Sequence, residues 1–314
     1  MGQEQRGIVG MNVLAICCAD LHLSEKPPVA RSVEKDWLAA QARPLEQVRE
    51  VAERHKCPVI YAGDIFDRHN PHPLLINWAI ENLPDGFAVP GQHDLPMHRY
   101  EDLGKSAYWT LVEAQVIQDL KPGVLDELKL GSRVWGWPWG VEVENVDDNL
   151  IGRDEVNLAV IHSFIWTPGL GYEGSPESAL AAAWGKRLLG YDVAVFGDNH
   201  QGFAAWAGDC PIYNCGCLIR RRSDERKLRP AVGLLMEDGT VQRHYLDVEE
   251  DWWADLNPAV VTAVEGNPTM REFLDELAEL GPDSLDYREA IQRYVRGRDV
   301  APGVAKVLME GLER

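Results

Sequence analysis

Five short polar motifs occur along the chain, and each comes soon after a short apolar run of strand length. The first run, Val13 to Cys18, is continuous, which is typical of a strand buried on both faces of a sheet. In chain order, the motifs are Asp20-Leu21-His22, Gly63-Asp64-Ile65-Phe66-Asp67, Gly91-Gln92-His93-Asp94, His162 and Gly197-Asp198-Asn199-His200. Because the carboxyl ends of parallel strands meet at one edge of a sheet, we expect these distant residues to line one site.

The first part of the chain alternates strand patterns with helix patterns. Strands are predicted at 13–18, 58–62 and 87–89, and helices at 32–56 with a break near Pro44, at 74–81 and at 106–114. Such a βαβαβα run predicts parallel strands with helices packed on them. The predicted fold class is therefore α/β.

Beyond residue 120 the pattern changes to strands joined by tight connections. They are predicted at 125–130, 134–137, 158–161, 193–196, 212–214, 231–236 and 241–246. The last two flank a hairpin turn at 237–240, so we expect a second, partly antiparallel sheet. From about 250 the pattern is helical. The predicted organisation is a flexible leader at 1–10, one domain at 11–249 and a C-terminal helical appendage at 250–314.

The chain carries 31 basic and 50 acidic side chains, a formal net charge of −19. This charge counts against a protein that coats nucleic acid non-specifically, because most of the surface repels polyanions. It does not exclude a nuclease, since bound cations and a local basic patch reverse the potential where they lie. The chain has no apolar run near the roughly 18 residues of a membrane span, and its six cysteines are too sparse for a disulfide scaffold. We therefore predict a cytoplasmic protein with no membrane contact.

The residue types in the five motifs indicate metal chemistry. Carboxylates, imidazoles and an amide are the ligand set for two divalent ions, and a carboxylate such as Asp64 can bridge both. A pair of metal ions lowers the pKa of a shared water and holds the oxygens of an in-line displacement at phosphorus. A single D-x-H tripeptide is usually only a capped turn, but five such motifs in order predict a metal centre.

The order of the motifs resembles that of the calcineurin-like metallophosphoesterases, and the resemblance covers residues 12–246. Within that superfamily, the second motif and the segment from Asn214 to Arg220 are similar to the SbcD-type DNA repair nucleases. The resemblance implies a four-layer αββα sandwich with two mixed sheets, to which the C-terminal helical appendage is added.

The resemblance also assigns roles to the motif residues. It implies a first metal ion held by Asp20, His22, Asp64 and His200, and a second held by Asp64, Gln92, His162 and Asp198. His93 would be the catalytic histidine, and Asp94 would accept a hydrogen bond from its other ring nitrogen. Water activated by the metal ions would attack the phosphorus.

Two positions depart from the family pattern, and both belong to the second metal site. Gln92 replaces the usual asparagine, and Asp198 replaces the usual histidine. The carboxylate makes this site harder, which favours Mn²⁺ or Mg²⁺ over softer ions, and Mn²⁺ is the ion we expect. The longer Gln92 side chain is expected to need a small loop shift to offer its oxygen. A weak second site and an inactive protein remain the alternative.

A basic segment follows the last predicted ligand. Residues 219–229 hold six basic and two acidic side chains in an otherwise acidic chain. Three of its arginines, Arg220, Arg221 and Arg222, are predicted to contact phosphate, with Asp67 and His69 at the rim of the site. The alternative is a solvated loop with internal salt bridges.

The sequence therefore leads to one functional prediction and two alternatives. The prediction is a two-metal-dependent phosphodiesterase, a DNA exonuclease or endonuclease of the SbcD type. The first alternative is a phosphatase or phosphodiesterase that acts on a small molecule or a phosphoprotein, because the fold alone does not decide the substrate. The second is a degenerate phosphoesterase that serves as a binding or scaffold protein. DNA, a coiled-coil SMC-like ATPase and a second copy of the chain are the predicted partners.

Overall fold

The computed structural model describes residues 11–128, 132–146, 156–172 and 174–254. The chain divides into two units, residues 1–171 with 175–254 and residues 172–174 with 255–314, and every element below belongs to the first. The predicted leader at 1–10 and nearly all of the predicted appendage at 250–314 lie outside the described residues. None of the helices within the described ranges is long and apolar enough to cross a bilayer.

The first sheet has six strands. They are β1 (Val13–Cys18), β2 (Val59–Ala62), β3 (Gly86–Val89), β4 (Ile117–Asp119), β11 (Ala231–Met236) and β12 (Val241–Tyr245). Their order is β12-β11-β1-β2-β3-β4. The strands β1, β2 and β3 are parallel, as predicted. Strand β4, which the sequence did not predict, is parallel to β3, whereas β11 is antiparallel to both β1 and β12. The placement of this last hairpin in a second sheet was wrong, because fully buried β11 pairs with the edge of β1 that β2 leaves free.

The second sheet also has six strands. They are β5 (Leu125–Glu127), β6 (Arg133–Trp137), β7 (Asn157–His162), β8 (Val193–Gly197), β9 (Phe203–Ala207) and β10 (Cys210–Asn214). Their order is β5-β6-β7-β8-β10-β9, with the inner four strands parallel and both outer strands antiparallel to their neighbours. The prediction of two mixed sheets in an α/β fold is thus confirmed.

The α-helices of the described residues connect successive strands of the first sheet. They are α1 (Trp37–His55) between β1 and β2, α2 (Pro73–Asn82) between β2 and β3, and α3 (Ala107–Glu113) between β3 and β4. Helix α1 begins after Asp36, whose carboxylate caps the backbone amide of Ala39. The predicted break near Pro44 is absent, since α1 runs through this proline with its ring on the buried face. Packing of that face therefore outweighs the backbone hydrogen bond that proline lacks.

The core has three apolar clusters, which lie in successive layers. Residues of β1 contribute to two of them, with Ile16 packed towards the helices and Leu14 towards the second sheet. On the far face of the second sheet, Trp135 and Phe196 pack with Trp184. Within the described ranges, that outer layer consists of short 3₁₀ turns at Glu177–Ala179 and Ala181–Trp184. All six cysteines are buried, and none of them forms a disulfide.

Candidate metal centre

The five motifs lie at the carboxyl ends of β1, β2, β3, β7 and β8, and their side chains meet where the two sheets approach each other. The backbone joins the first two motifs, because the Asp20 amide donates to the Gly63 carbonyl at 3.1 Å and the His22 amide to the Asp64 carbonyl at 3.0 Å. The Asp198 amide crosses from the second sheet and donates to both Asp20 carboxylate oxygens at 3.1 Å. The predicted convergence is therefore present.

The backbone at this edge is strained. Four of the predicted ligands have a positive φ that side chains other than glycine rarely adopt: Asp20 at 53°, His22 at 45°, Asp64 at 53° and Asp198 at 97°. Such strain tends to cluster at functional sites, where the surrounding structure holds it in place. The four strained positions thus lie at the edge where the predicted ligands come together.

Two glycines leave the room that these side chains occupy. A Cβ atom at Gly63 would lie 2.0 Å from Nδ1 of His162, and a Cβ atom at Gly91 would lie 2.1 Å from Oδ1 of Asp64. Any other residue at either position would displace a predicted ligand, so the glycines of the motifs are required by close approach.

The first predicted ligand group has the arrangement expected around a cation. The Nε2 atoms of His22 and His200 face each other at 3.2 Å, and Oδ2 of Asp64 lies 3.7 Å from Nε2 of His22. Asp20 offers an oxygen to the same group. Oδ2 of Asp64 and Nδ1 of His22 are buried without a hydrogen-bond partner, although buried polar atoms in folded proteins nearly always have one.

The second predicted ligand group is linked through Gln92. Oε1 of Gln92 lies 2.7 Å from Nε2 of His162, and Nε2 of Gln92 donates to Oδ1 of Asp198 at 3.1 Å. Nδ1 of His162 lies 2.7 Å from the Ala62 carbonyl, which fixes the ring. Oδ2 of Asp64 is 3.5 Å from Nε2 of His162, so Asp64 lies between the two groups. The Gln92 side chain therefore reaches both His162 and Asp198 with the loop in its present conformation.

The pKa values of these groups reflect their burial and crowding. Burial raises the pKa of the Asp20 carboxyl to about 7 and lowers the pKa of the His22 imidazole to about 3. Burial disfavours a charged His162 as well, but the Asp64 carboxylate outweighs it and raises the pKa of His162 to about 10. Protons therefore compensate buried carboxylates here. Divalent cations would do so more completely, and the donor set of carboxylate, imidazole and amide fits them.

His93 lies beside these groups with its ring held by backbone. Its amide donates to Oδ1 of Asp64 at 2.9 Å, and its Nδ1 lies 2.9 Å from the Asp67 carbonyl. This contact differs from the predicted one to Asp94. The Asp94 carboxylate is fully buried and accepts hydrogen bonds from the amides of Ile65, Phe66 and Gly91 instead. Asp94 thus fixes the loops that carry the ligands rather than the His93 ring.

The predicted rim residues have different surroundings. The Asp67 carboxylate accepts a hydrogen bond from Nη1 of Arg221 at 2.6 Å and lies 3.8 Å from Nδ1 of His22, so both residues are at the site. His69 contributes its carbonyl to the Ala107 amide at the start of α3. The candidate ligand groups do not include His69.

Arg220 is not brought to the site. It is 7% exposed, and its guanidinium donates to the Asp251 carboxylate and to the carbonyls of Arg226, Leu228 and Val248. Its neighbour Arg222 is exposed, with Asp224 at 3.4 Å. The basic segment therefore combines both sequence interpretations: Arg220 forms internal salt bridges, while other cations face solvent.

Glu225 is a functional candidate that the sequence analysis did not single out. One carboxylate oxygen lies 2.7 Å from Nδ1 of His200, and the other accepts hydrogen bonds from the amides of Arg221 and Arg222. Glu225 is buried, so it orients the His200 ring and holds the start of the basic segment at once. The available signal was that Glu225 is one of two acidic residues in the basic run.

The sequence model of the calcineurin-like phosphoesterase family matches residues 14–202, which contain all five motifs. The chain belongs to the calcineurin-like phosphoesterases. Members of this family are metal-dependent hydrolases of phosphate esters that bind two divalent metal ions. Two groups of side chains, Asp20 with His22 and His200 and Asp20 with Asp64 and His162, bring their ligand atoms within 4.8 Å of one another and are candidate metal sites. Asp198 is in neither group.

Several solved structures resemble the chain, and three of them each share 13% sequence identity with it. Sulfate thiohydrolase SoxB of Thermus thermophilus, solved with glycerol, has a TM-score of 0.46 over 83% of this chain and 62% of its own. This chain thus spans less than two thirds of SoxB. The protein TT1561, also of Thermus thermophilus, has a TM-score of 0.45, covering 75% of this chain and 100% of its own. Calcineurin-like phosphoesterase YfkN from Bacillus subtilis has a TM-score of 0.44, covering 82% and 97% respectively. No curated protein matches the sequence.

Proposed function

We propose that this calcineurin-like phosphoesterase is a two-metal-dependent phosphodiesterase that hydrolyses DNA. The observation that carries the proposal is the double contact of Glu225. Its carboxylate joins the His200 ring at the candidate metal centre to the backbone of the basic segment. Cations that attract a polyanionic strand are thereby held beside the groups that would cleave it.

The ligand assignment follows the two groups of side chains. Asp20, His22, Asp64 and His200 would hold one ion, and Asp64, Gln92, His162 and Asp198 would hold the other. When bound, the two ions would activate water and neutralise charge on the phosphoryl oxygens. Manganese is the ion that we propose, because oxygen ligands predominate at the second site.

His93 would handle the proton of the leaving group. A carbonyl oxygen only accepts hydrogen bonds, so the contact with the Asp67 carbonyl keeps a proton on Nδ1 of His93. Nε2 is then the atom that gains and gives up a proton. In the protonated ring, Nε2 would donate to the departing oxygen.

The strand would be bound by the exposed cations of the basic segment. Arg222, Arg226, Lys227 and Arg229 are exposed, and Arg221 reaches Asp67 at the rim. A chain with a net charge of −19 gains affinity for DNA only where such cations are concentrated. The coiled-coil ATPase partner and the homodimer stay predictions.

The test uses end-labelled linear DNA, single- and double-stranded, with Mn²⁺, beside bis(p-nitrophenyl) phosphate as a small diester and p-nitrophenyl phosphate as a monoester. We expect cleavage of DNA and of the small diester by wild type and none by Asp64→Ala. Arg222→Gln is expected to weaken DNA cleavage several-fold at fixed salt and to leave the small diester unchanged. Lys186→Gln, which removes an exposed cation elsewhere, is the matched control.

Two results would contradict the proposal in different ways. Hydrolysis of small esters without DNA cleavage would indicate the small-molecule phosphoesterase. No turnover of any ester by a metal-loaded preparation would indicate a binding or scaffold protein.

A further inference from the structure

A pocket of about 240 Å³ opens beside His200, and none of the other predicted metal ligands lines it. The loop after β8, the end of β10, residues 227–231 and strand β12 form its walls. Because His200 is both a candidate ligand and part of the pocket wall, the pocket adjoins the metal centre without belonging to its ligand groups.

The floor of the pocket is attached to His200 through backbone. The Cys217 amide donates to the His200 carbonyl at 3.0 Å. Gly216 has a φ of +74°, and a Cβ atom there would lie 2.5 Å from the Gly202 amide nitrogen. The two glycines thus allow the loops from β8 and β10 to pass at close range, so the pocket is fixed relative to the centre.

The charged side chains of the pocket are all basic. Lys227, Arg229 and Arg243 line it, and no aspartate or glutamate among the described residues does. Over the described ranges, none of these three cations has a carboxylate partner within 4.0 Å, whereas Arg221 and Arg222 each have one. Unpaired cations gathered in a chain of net charge −19 indicate an anion site.

An aromatic side chain holds two of these cations together. The guanidinium of Arg229 lies 4.3 Å from the centre of the Tyr245 ring, and that of Arg243 lies 5.9 Å from the same ring. Arg243 also lies 5.8 Å from the Tyr213 ring. Cation–π contacts therefore place two like charges at one wall, where an anion would relieve their repulsion.

We propose that this pocket binds a second phosphate group of the substrate strand, next to the phosphate that is hydrolysed. The inference rests on the proposed function and sharpens its substrate class to strands or short oligonucleotides that carry at least two phosphates. The volume is below the roughly 300 Å³ at which pockets for drug-sized ligands begin. It therefore suits one phosphate with part of its sugar and excludes a duplex.

The experiment compares three thymidine dinucleotides: one with only the internal phosphate, one with an added 5′-phosphate and one with an added 3′-phosphate. The variant carries Arg229→Gln and Arg243→Gln. The control carries Lys186→Gln and Arg187→Gln, which removes two exposed cations outside the pocket lining. We measure kcat/KM with Mn²⁺ and, independently of turnover, equilibrium binding to metal-free protein by calorimetry.

We expect wild type and the control to prefer one of the doubly phosphorylated dinucleotides by about tenfold in both assays. The pocket variant should lose that preference and hydrolyse bis(p-nitrophenyl) phosphate as wild type does. The preferred isomer would report whether the second phosphate lies on the 5′ or the 3′ side.

Equal binding of all three dinucleotides by wild type would overturn the inference, as would an equal loss of preference in the control. Absence of hydrolysis with the binding preference intact would refute the proposed function and leave the phosphate pocket standing. Hydrolysis of all three dinucleotides without any preference would refute the phosphate pocket and leave the proposed function standing.

Discussion

Two clusters of charged side chains within the described residues are largely buried, and they are built differently. At the metal centre, Oδ2 of Asp64 and Nδ1 of His22 have no hydrogen-bond partner. The second cluster consists of Arg31, Glu34, Arg43, Arg220 and Asp251, and we call it the arginine cluster. There, the guanidinium of Arg31 donates to the carboxylates of Glu34 and Asp251 and to the carbonyls of Arg220 and Trp252.

The difference separates a binding site from a structural element. A buried charge persists when its partners satisfy it, as in the arginine cluster, or when a ligand completes it. Single unpartnered atoms also occur elsewhere, for example Nε1 of Trp184. The metal centre is distinguished by a buried carboxylate oxygen that accepts no hydrogen bond and faces two imidazole nitrogens at 3.5 and 3.7 Å.

The largest effect is expected from Asp64→Asn. The substitution keeps the side-chain shape but removes the charge between the two ligand groups, so phosphoesterase turnover should fall on the order of 10³-fold or more. The melting temperature in EDTA should fall only slightly, because Oδ2 of Asp64 has no hydrogen bond to lose, although the lost charge no longer favours the proton on His162. Turnover and melting are measured on the same preparation. A much lower melting temperature in EDTA would mean that the Asp64 charge stabilises the fold without metal. The metal centre and the arginine cluster would then not differ in this respect.

The opposite pattern is expected from Asp251→Asn. Its carboxylate faces both Arg31 and Arg220, and both arginines are nearly fully buried. Breaking such a network should lower the free energy of unfolding by about 3 kcal/mol, measured by urea denaturation. Asp224→Asn, whose carboxylate pairs with exposed Arg222, is the control and should change it by less than about 0.5 kcal/mol. Equal effects of the two substitutions would show that the arginine cluster adds no stability.

Addition of Mn²⁺ should stabilise the protein through the metal centre and not through the arginine cluster. At a concentration one hundred times its dissociation constant, Mn²⁺ should raise the free energy of unfolding of metal-free wild type by about 2.7 kcal/mol. Asp251→Asn should gain the same increment from its lower baseline, while Asp64→Asn should gain much less. Thermal unfolding with and without Mn²⁺ measures both. If Mn²⁺ raised the free energy of unfolding of Asp64→Asn as much as that of wild type, the ion would bind at a site that does not include Asp64.

The smallest of these effects is expected from Glu225→Gln, which tests the connection between the centre and the basic segment. Loss of the carboxylate that orients His200 should weaken Mn²⁺ binding by about 10- to 100-fold, as for other residues that orient metal ligands. Calorimetric titration of metal-free protein measures the affinity, with Asp224→Asn as the neighbouring charge control. An unchanged affinity would reduce Glu225 to a cap of the short turn at Ser223–Lys227.

The strands that carry the motifs could be predicted because parallel buried strands leave a strong signal. Val13–Cys18 is apolar throughout and was predicted with its observed bounds. Two strands were missed. Ile117–Asp119 has only three residues and a polar centre. Phe203–Ala207 is apolar, but three of its five residues are alanine, which is depleted in strands.

The ligand types at the site could be predicted, but their partners could not. A count of charges does not distinguish Arg220, which is paired with Asp251, from Arg222, which is exposed. The partner of Arg220 lies 31 residues along the chain, and its position depends on the fold. Glu225 was missed for the same reason, since its role depends on where His200 lies in space.

The position of β1 has a consequence for biosynthesis. Among the described strands, β1 is made before the others, yet it lies between β2 and β11, and Val13 pairs with Met236. A chain still being translated can pair β1 with β2 long before β11 emerges from the ribosome. Until then, one edge of an apolar strand is bare and open to pairing with other chains. The first sheet closes only when almost all of the described chain has been synthesised, so a nascent chain that stalls before residue 231 would need protection from aggregation.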